Sequence, residues 1–326
     1  MSADSIRVVN CSRFGEPQLL RVETRPRPVP ASGEVTVDLH AWGVNYVDAL
    51  MVAGGYQLKP DLPFVPGMEA AGYVLDAPAE TGLAVGAPVM LGMRPGAFAE
   101  QVCVPASAVQ ALPDGVSLEQ GACFRSAFQT AYHGLVQGGR LESGEVALIH
   151  GAAGGMGLAA VQVAKLLGAT VIATARSVER LDVARSLGAD YVLGYGEGSF
   201  RDAVRDLTGG ADVIFDPVGG DVFDESMRCL NYGSRIVVVG FTSGRRPVAK
   251  TNHLLIKGAS VTGIRAGEFS RQNPEVGKAN RAVLHRWLAE GRIQSHISHR
   301  FPFERVHDAL QAVLDREVVG RAVLHR

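Results

Sequence analysis

A glycine-rich turn, His150-Gly-Ala-Ala-Gly-Gly-Met-Gly157, holds the residues with the clearest chemical potential in this chain. It follows the apolar run 146–149 and leads into a segment rich in Ala, Leu and Val. Glycine lets a backbone approach a phosphate closely, and the first N–H groups of a helix have no partner inside the helix. We therefore expect the turn to bind the phosphates of a nucleotide through Gly154, Gly155, Met156 and Gly157.

The motif is imperfect, because Ala152 replaces the first glycine of G-x-G-x-x-G and a strand-to-helix turn can need glycine for backbone reasons alone. The context favours nucleotide binding, since a second β-branched run, 170–175, follows the helix and further strand–helix units lie downstream. In this interpretation Gly154 lets the backbone approach the pyrophosphate, and Gly157 lets the helix lie close to the sheet.

Arg176, Ser177 and Arg180 follow the second run and indicate which nucleotide binds. The segment Ala173-Thr-Ala-Arg-Ser177 contains no Asp or Glu to bind both ribose hydroxyls of NAD. Arginine has a fork of donors that suits a phosphate, and a carboxylate that would repel the phosphate is missing. We therefore expect NADPH rather than NADH; the alternative is that both arginines only solvate the start of a helix.

Alternating strands and helices must position these residues. Between residues 146 and about 264 we predict strands at 146–150, 170–175, 191–195, 211–216 and 235–240, with helices at 157–167, 177–187, 199–207 and 221–230. This alternation predicts an α/β, doubly wound parallel sheet with right-handed crossovers. Residues 1–125 instead show short β-rich runs separated by Pro and Gly, which indicates an antiparallel β domain. We expect a helix at 275–290, in a segment that returns to this domain.

The bulk composition excludes several classes of function. The chain has 326 residues, enough for two domains, and a net charge of -1 from 32 basic and 33 acidic residues. No basic stripe points to nucleic acid or a membrane surface, and no apolar segment is long enough to span a bilayer. The four cysteines form no C-x-x-C pair and are typical of a reducing compartment. We expect a cytoplasmic protein.

Several further motifs, taken in order along the chain, carry a family resemblance: Gly43-Val-Asn-Tyr-Val-Asp48, Pro66-Gly-Met-Glu-Ala-Ala-Gly72, Gly96-Ala-Phe-Ala-Glu100 and Thr130-Ala-Tyr132. With the glycine turn, they make the chain resemble the medium-chain dehydrogenase/reductase superfamily, in its quinone oxidoreductase (zeta-crystallin-like) branch. The resemblance implies a GroES-like catalytic domain, 1–125 and 266–326, and a Rossmann domain, 126–265. It also implies an active site in the cleft between them.

Zinc is not expected. Zinc-dependent relatives place Cys, His and Cys where this chain has Asn45, Met68 and Ser126. An amide, a thioether and a hydroxyl are poor ligands for zinc, which prefers thiolate and imidazole. We interpret Met68 as a core residue and expect Glu69 to pair with a buried base.

Without a Lewis acid, reduction of a quinone or an α,β-unsaturated carbonyl is easier than ionisation of an alcohol. The resemblance places Asn45 and Tyr56 at polar active-site positions; a further tyrosine of the family is Leu50 here, and Tyr46 is expected to replace it in part. We expect Asn45 to face the cleft and stabilise the developing oxyanion. The alternative is that its amide only braces the loop between Trp42 and Asp48.

The resemblance also extends the set of cofactor-binding residues. Tyr195 and Arg321 match positions around the 2′-phosphate, and Asp216-Pro-Val-Gly-Gly220 and Val239-Gly-Phe-Thr242 match segments on the nicotinamide side. The residues added to the cofactor site are Thr130, Tyr195, Val218, Gly240, Phe241 and Arg321. Two interpretations of Arg125 remain open. It contacts the acceptor or a phosphate in the first, and it lies on the surface in the second.

Three functions remain open at this point. The expected one is an NADPH-dependent, zinc-free quinone or enone reductase. The others are an enoyl-thioester or alkenal double-bond reductase of the same superfamily, and a non-catalytic NADPH-binding structural or RNA-associating protein. We also expect a homodimer that pairs the edge strand Ser260-Val-Thr-Gly-Ile264 with its copy, since an exposed β-branched edge otherwise promotes aggregation.

Overall fold

The computed structural model describes residues 4–195 and 199–326. Its strands are β1 (Ser5–Asn10), β2 (Arg21–Pro26), β3 (Glu34–Val44), β4 (Glu69–Asp76), β5 (Pro88–Gly92), β6 (Gln101–Pro105), β7 (Val109–Ala111), β8 (Val146–Ile149), β9 (Thr170–Ala175), β10 (Tyr191–Gly194), β11 (Ala211–Asp216), β12 (Leu230–Val238), β13 (Ser260–Gly263), β14 (Ile297–Pro302) and β15 (Arg321–His325). Its α-helices are α1 (Tyr46–Val52), α2 (Leu118–Ala122), α3 (Arg125–His133), α4 (Gly155–Leu166), α5 (Asp182–Ser186), α6 (Phe200–Thr208), α7 (Gly220–Ser226), α8 (Thr251–Lys257), α9 (Ala266–Gln272), α10 (Pro274–Ala289) and α11 (Val306–Leu314).

The chain forms two compact units, Met1–Ser126 with Ile297–Arg326, and Ala127–His296. The first boundary lies one residue from the expected one. The return to the first unit differs, because residues 266–296 belong to the second unit. His133 stacks on Phe269 with ring centroids 4.1 Å apart, and Tyr132 meets Trp287 edge-on at 5.7 Å. These aromatic contacts attach α9 and α10 to α3.

The first unit is built on an antiparallel sheet, as the Pro- and Gly-punctuated runs predict. The strand order is β14-β15-β3-β4-β5-β7, with β6 also paired to β3. Only the β14–β15 pair is parallel among the pairs described in this sheet. Trp42 and Phe303 are fully buried in its core, with ring centroids 4.5 Å apart.

The second unit contains a fully parallel sheet in the order β10-β9-β8-β11-β12-β13. Counted from β8, this is the 3-2-1-4-5-6 order of doubly wound dinucleotide-binding sheets, which have a crevice at the carboxyl ends of the strands where the order reverses. The predicted α/β class is confirmed. Two helices are shorter than expected: a 3-10 turn at Val178–Leu181 precedes α5, and α7 ends at Ser226 because the chain pairs with β11 again from Leu230.

Candidate nucleotide and active site

Most of the residues predicted to bind a nucleotide lie at one edge of the parallel sheet. The strands are parallel, so their carboxyl ends share this edge. The residues that the structure brings there are 154–157 after β8, Arg176 and Ser177 after β9, Tyr195 after β10, Val218 after β11, and Gly240 and Phe241 after β12. Thr130 lies instead on α3, and Arg321 lies on β15 in the first unit.

The glycine turn after β8 uses its glycines differently from the expectation. The left-handed conformation is taken by Gly151, with φ +60°, and not by a glycine of the segment Gly154-Gly-Met-Gly157. A Cβ on Gly157 would lie 2.3 Å from the carbonyl oxygen of Gly151, so glycine here lets α4 approach the turn itself. Gly154 is the N-cap of α4. The first-turn amides of α4 have no carbonyl partner within the helix, and they therefore fit a pyrophosphate.

The arginines after β9 have an acidic neighbour that the sequence interpretation overlooked. Arg176 is exposed and Arg180 half-buried. The Ser177 hydroxyl donates a hydrogen bond to the Glu179 carboxylate, which lowers the pKa of Glu179. The carboxylate absent from the end of β9 is thus present two residues beyond Ser177. The two arginines still exceed it in charge.

The turn after β11 is held by Asp216. Its Oδ1 accepts hydrogen bonds from the backbone N–H groups of Val218 (2.8 Å) and Gly219 (2.9 Å), and burial raises the pKa of this carboxyl. Val218 is only 7% exposed, so its side chain belongs mainly to the core. Phe241 is 42% exposed and Gly240 half-buried, so this part of the edge is accessible.

His150 is a buried residue of the second unit that the sequence interpretation missed. Ser226 Oγ donates to the carbonyl of Val222 at 2.7 Å, so it accepts from His150 Nε2 at 2.7 Å. Thr174 Oγ1 then donates to Nδ1 at 2.7 Å. Burial lowers the pKa of His150 to about 3, and the ring is therefore neutral. It connects β8, β9 and α7 beneath the nucleotide edge.

In the first unit, Asn45, Glu69 and Arg321 form a buried polar cluster, with exposed fractions of 6%, 1% and 7%. Arg321 Nη1 donates to Asn45 Oδ1 at 2.6 Å, and Arg321 Nη2 bonds to Glu69 Oε1. Asn45 Nδ2 donates to the same Glu69 oxygen at 3.0 Å. The expected pairing of Glu69 with a buried base is confirmed.

This cluster changes the interpretation of two residues. Arg321 does not offer an exposed guanidinium to a phosphate, because Nη2 forms a buried ion pair with Glu69 and Nη1 donates to the Asn45 amide oxygen. Burial lowers its pKa, but the Glu69 carboxylate together with Cys123 and Asp48 outweighs that effect, and the net pKa is raised. Asn45 does not present an unengaged amide, since both ends bond to charged side chains. The amide therefore braces charged side chains, and Asn45 also caps α1 in a capping box with Asp48.

Asp48 adds a second buried carboxyl to the cluster. Its Oδ2 accepts from the Asn45 backbone N–H at 2.8 Å, and its Oδ1 has no hydrogen-bond partner among the described residues. Burial raises the pKa of Asp48 to about 7, an effect that the negative charge of Glu69 reinforces. Burial also raises the pKa of the neighbouring Cys123 thiol to about 12, so the thiol is protonated.

The two tyrosines predicted for the site differ in exposure. Tyr46 begins α1 directly after Asn45 and is 39% exposed. Tyr56 is half-buried and packs against the core of the first unit. Arg125 is half-buried: its Nη1 donates to the carbonyl of Ala108 at 2.6 Å and its side chain lies against Gly92. Neither interpretation of Arg125 described this bracing role.

Comparison with known proteins identifies the family. Residues 31–114 match the alcohol dehydrogenase GroES-like domain, and residues 155–280 match the zinc-binding dehydrogenase domain. Quinone oxidoreductase-like protein 2 of Mus musculus is 36% identical over 322 residues, which cover 98% of this chain and 91% of that protein. The chain belongs to the medium-chain dehydrogenase/reductase superfamily. Within it, the similarity is to the quinone oxidoreductase branch.

Solved structures of medium-chain dehydrogenases/reductases share the whole fold. A mycobacterial protein complexed with NADPH is 31% identical, with a TM-score of 0.90 over 98% of this chain and 100% of that chain. Escherichia coli quinone oxidoreductase complexed with NADPH is 27% identical, with a TM-score of 0.89 over the same shares of the two chains. The GroES-like and Rossmann expectation is confirmed.

The zinc-ligand positions of the superfamily can now be located in this medium-chain dehydrogenase/reductase. Asn45 is bonded to Glu69 and Arg321, and Met68 packs against the core of the first unit, as expected. The Ser126 backbone N–H donates to Glu69 Oε2 at 2.7 Å. Across residues 4–195 and 199–326, no three His, Cys, Asp or Glu side chains are grouped to share a metal ion. No helix in those ranges is long and apolar enough to cross a membrane.

Proposed function

We propose that this protein is an NADPH-dependent oxidoreductase that transfers hydride to a quinone or another activated α,β-unsaturated carbonyl without zinc. The observation that carries the proposal is the position of the glycine turn and the first turn of α4, which lie at the same carboxyl ends of the parallel strands as Arg176 and Arg180. Similarity to two NADPH complexes supports it.

NADPH fits the residues at this edge. The helix α4 amides would hold the pyrophosphate, and Arg176, Arg180 and Ser177 would hold the 2′-phosphate. Gly157 lets α4 pack closely against the turn, which fixes the position of these amides. When bound, the nicotinamide supplies the hydride. The chain's own task here is to bind and orient the dinucleotide.

On the acceptor side, we assign different tasks to the predicted residues. Tyr46 is 39% exposed, and we assign its hydroxyl as the donor to the acceptor's carbonyl oxygen, where negative charge develops. Tyr56 is proposed to line the acceptor pocket. Asn45, bonded to Glu69 and Arg321, positions the start of α1 and hence Tyr46. Neutral donors of this kind suffice for a quinone or enone, in which hydride addition moves charge to oxygen.

The zinc-free part of the proposal rests on donor chemistry. The three family positions offer an amide, a thioether and a hydroxyl, none of which is a good zinc ligand. The Asn45 amide is also already bonded to two charged groups. Inductively coupled plasma mass spectrometry of purified protein should find no stoichiometric zinc.

The function is tested by following NADPH oxidation with two acceptor groups: quinones with simple enones, and enoyl thioesters with alkenals. Fastest turnover with quinones or simple enones supports the proposal. A preference for enoyl thioesters or alkenals favours the double-bond reductase, and binding of NADPH without turnover of any acceptor favours a non-catalytic role. The net charge of -1 provides no general attraction for RNA.

A homodimer is proposed as the functional assembly. β13 is the end strand of the described parallel sheet, and Leu255 (83% exposed), Ile256 (70%) and Tyr232 (83%) lie near it. A two-fold pairing of β13 with its copy would give hydrogen-bond partners to the outer backbone groups of this end strand and would cover these side chains. Light scattering at micromolar concentration should give twice the monomer mass. A cytoplasmic location is part of the same proposal, tested by fractionation.

A further inference from the structure

The loop after β12, residues 239–247, is docked on the turn after β11. Thr242 N–H donates to the carbonyl of Pro217 at 3.1 Å, and Ser243 N–H donates to the carbonyl of Val218 at 3.0 Å. This loop carries Gly240 and Phe241, and the turn carries Val218. The two segments thus present their predicted cofactor residues together.

Two glycines make this docking possible. Gly219 and Gly220 have φ values of +69° and +58°, which disfavour any residue with a Cβ. A Cβ on Gly219 would lie 3.0 Å from the carbonyl oxygen of Arg245, and one on Gly220 would lie 2.7 Å from Ser243 Oγ. The turn is therefore shaped to receive the loop.

Arg245 ties the loop to the following helix. Its Nη2 donates to Asp221 Oδ1 and to Asp224 Oδ2, both at 2.7 Å, and both aspartates lie on α7. Arg245 is 49% exposed, and Asp221 and Asp224 are 99% and 39% exposed. Ion pairs this exposed are individually weak and are screened by salt. Their effect must therefore be modest and must decrease as ionic strength rises.

We propose that Arg245 is a positioning residue that holds loop 239–247 in place through Asp221 and Asp224 and thereby sets the affinity for the dinucleotide. The inference rests on the proposed NADPH-dependent function. Arg245 acts through the loop and does not contact the cofactor. We call the ion pairs of Arg245 with Asp221 and Asp224 the clamp. Without the clamp the hydride step is unchanged, but the protein must order the loop each time the dinucleotide binds.

The test uses Asp221→Asn/Asp224→Asn, which keeps Arg245, and a control, Asp202→Asn/Asp206→Asn, which removes the same charge from exposed positions of α6. NADPH affinity is measured by nucleotide fluorescence, and kcat by NADPH oxidation. We expect the clamp variant to raise the Kd for NADPH roughly two- to fivefold at low salt, with kcat unchanged. The ratio to wild type should approach one in about 0.5 M salt, because the pairs are then screened.

A second readout needs no cofactor. Trypsin cleaves after arginine, so the rate of cleavage between Arg245 and Arg246, followed by mass spectrometry, reports release of the loop. We expect faster cleavage in the clamp variant than in wild type or the control. Cleavage at the wild-type rate refutes the clamp, and faster cleavage with an unchanged Kd refutes its role in affinity. If wild-type protein does not bind NADPH, the proposed function fails, whereas the cleavage rates still report on the clamp.

Discussion

Replacing Arg321 by Met should destabilise the first unit strongly. The change leaves the Glu69 carboxylate, 1% exposed, without its charged partner and with the neutral donors of the Asn45 amide and the Ser126 backbone N–H. Removal of one partner of a buried ion pair costs about 3 to 5 kcal/mol, because the remaining charge is uncompensated. Removal of both charges costs much less, so adding Glu69→Gln to Arg321→Met should restore at least half of the lost free energy of unfolding.

The assay exploits the chain's two tryptophans, one in each unit. In a Trp287→Phe background, Trp42 is the remaining tryptophan and lies fully buried in the first unit. Urea unfolding followed by its fluorescence therefore reports on the unit that contains the ion pair. The matched control is Arg300→Met, which breaks the exposed pair with Glu119 in the same unit and should cost less than about 1 kcal/mol.

Two results would refute this reasoning. The first is an effect of Arg321→Met as small as that of Arg300→Met, which would mean that the Glu69 carboxylate is not buried as described. The second is simple additivity of the effects of Glu69→Gln and Arg321→Met, which would mean that the two side chains are not energetically coupled.

Other consequences of the structure are open to measurement. Arg176→Gln and Arg180→Gln should each raise the KM for NADPH about ten- to a hundredfold, since a phosphate contact contributes roughly 1.5 to 3 kcal/mol, and should change the KM for NADH little; equal effects would remove the 2′-phosphate assignment. His150 has a folded pKa of about 3 against an ordinary 6.5, so its contribution to stability is complete above pH 6.5 and is lost as the pH falls toward 3. The free energy of unfolding measured in urea from Trp287 fluorescence should fall by about 2 to 3 kcal/mol between pH 6.5 and 4.5, and His150→Gln should remove this pH dependence. An unchanged pH dependence in the variant would contradict the neutral buried ring. Asn45→Ala should lower the unfolding free energy by about 1 to 3 kcal/mol, because Glu69 and Arg321 each lose a partner. Unchanged stability with lowered turnover would instead return the amide to direct oxyanion stabilisation.

The parallel sheet was predictable because its signal is local. The runs at 170–175 and 211–216 became β9 and β11 with the predicted bounds, since buried parallel strands are continuous apolar runs. The signal that ends a helix is also local. Gly168 follows α4 and Gly188 follows α5, and their positive φ values of +86° and +109° are conformations that glycine adopts readily.

The buried cluster of the first unit was less predictable because its members are far apart in sequence. Asn45 and Arg321 are separated by 276 positions, and only the pairing of β15 with β3 brings them together. The resemblance implied that Arg321 contacts the 2′-phosphate, whereas in the structure Arg321 pairs with Glu69. Asp48 is recognisable only by its burial and its orphaned oxygen, which sequence patterns do not reveal.

The central claim is that the protein reduces activated carbonyl acceptors with NADPH. Its most direct test is the initial rate of nucleotide oxidation by metal-free protein with a quinone, measured in parallel with NADPH and NADH in the presence of a chelator. The account predicts sustained turnover with a kcat/KM for NADPH at least tenfold above that for NADH, by the contribution of a single phosphate contact. Turnover that requires added zinc, or that is equal with the two nucleotides, would contradict it.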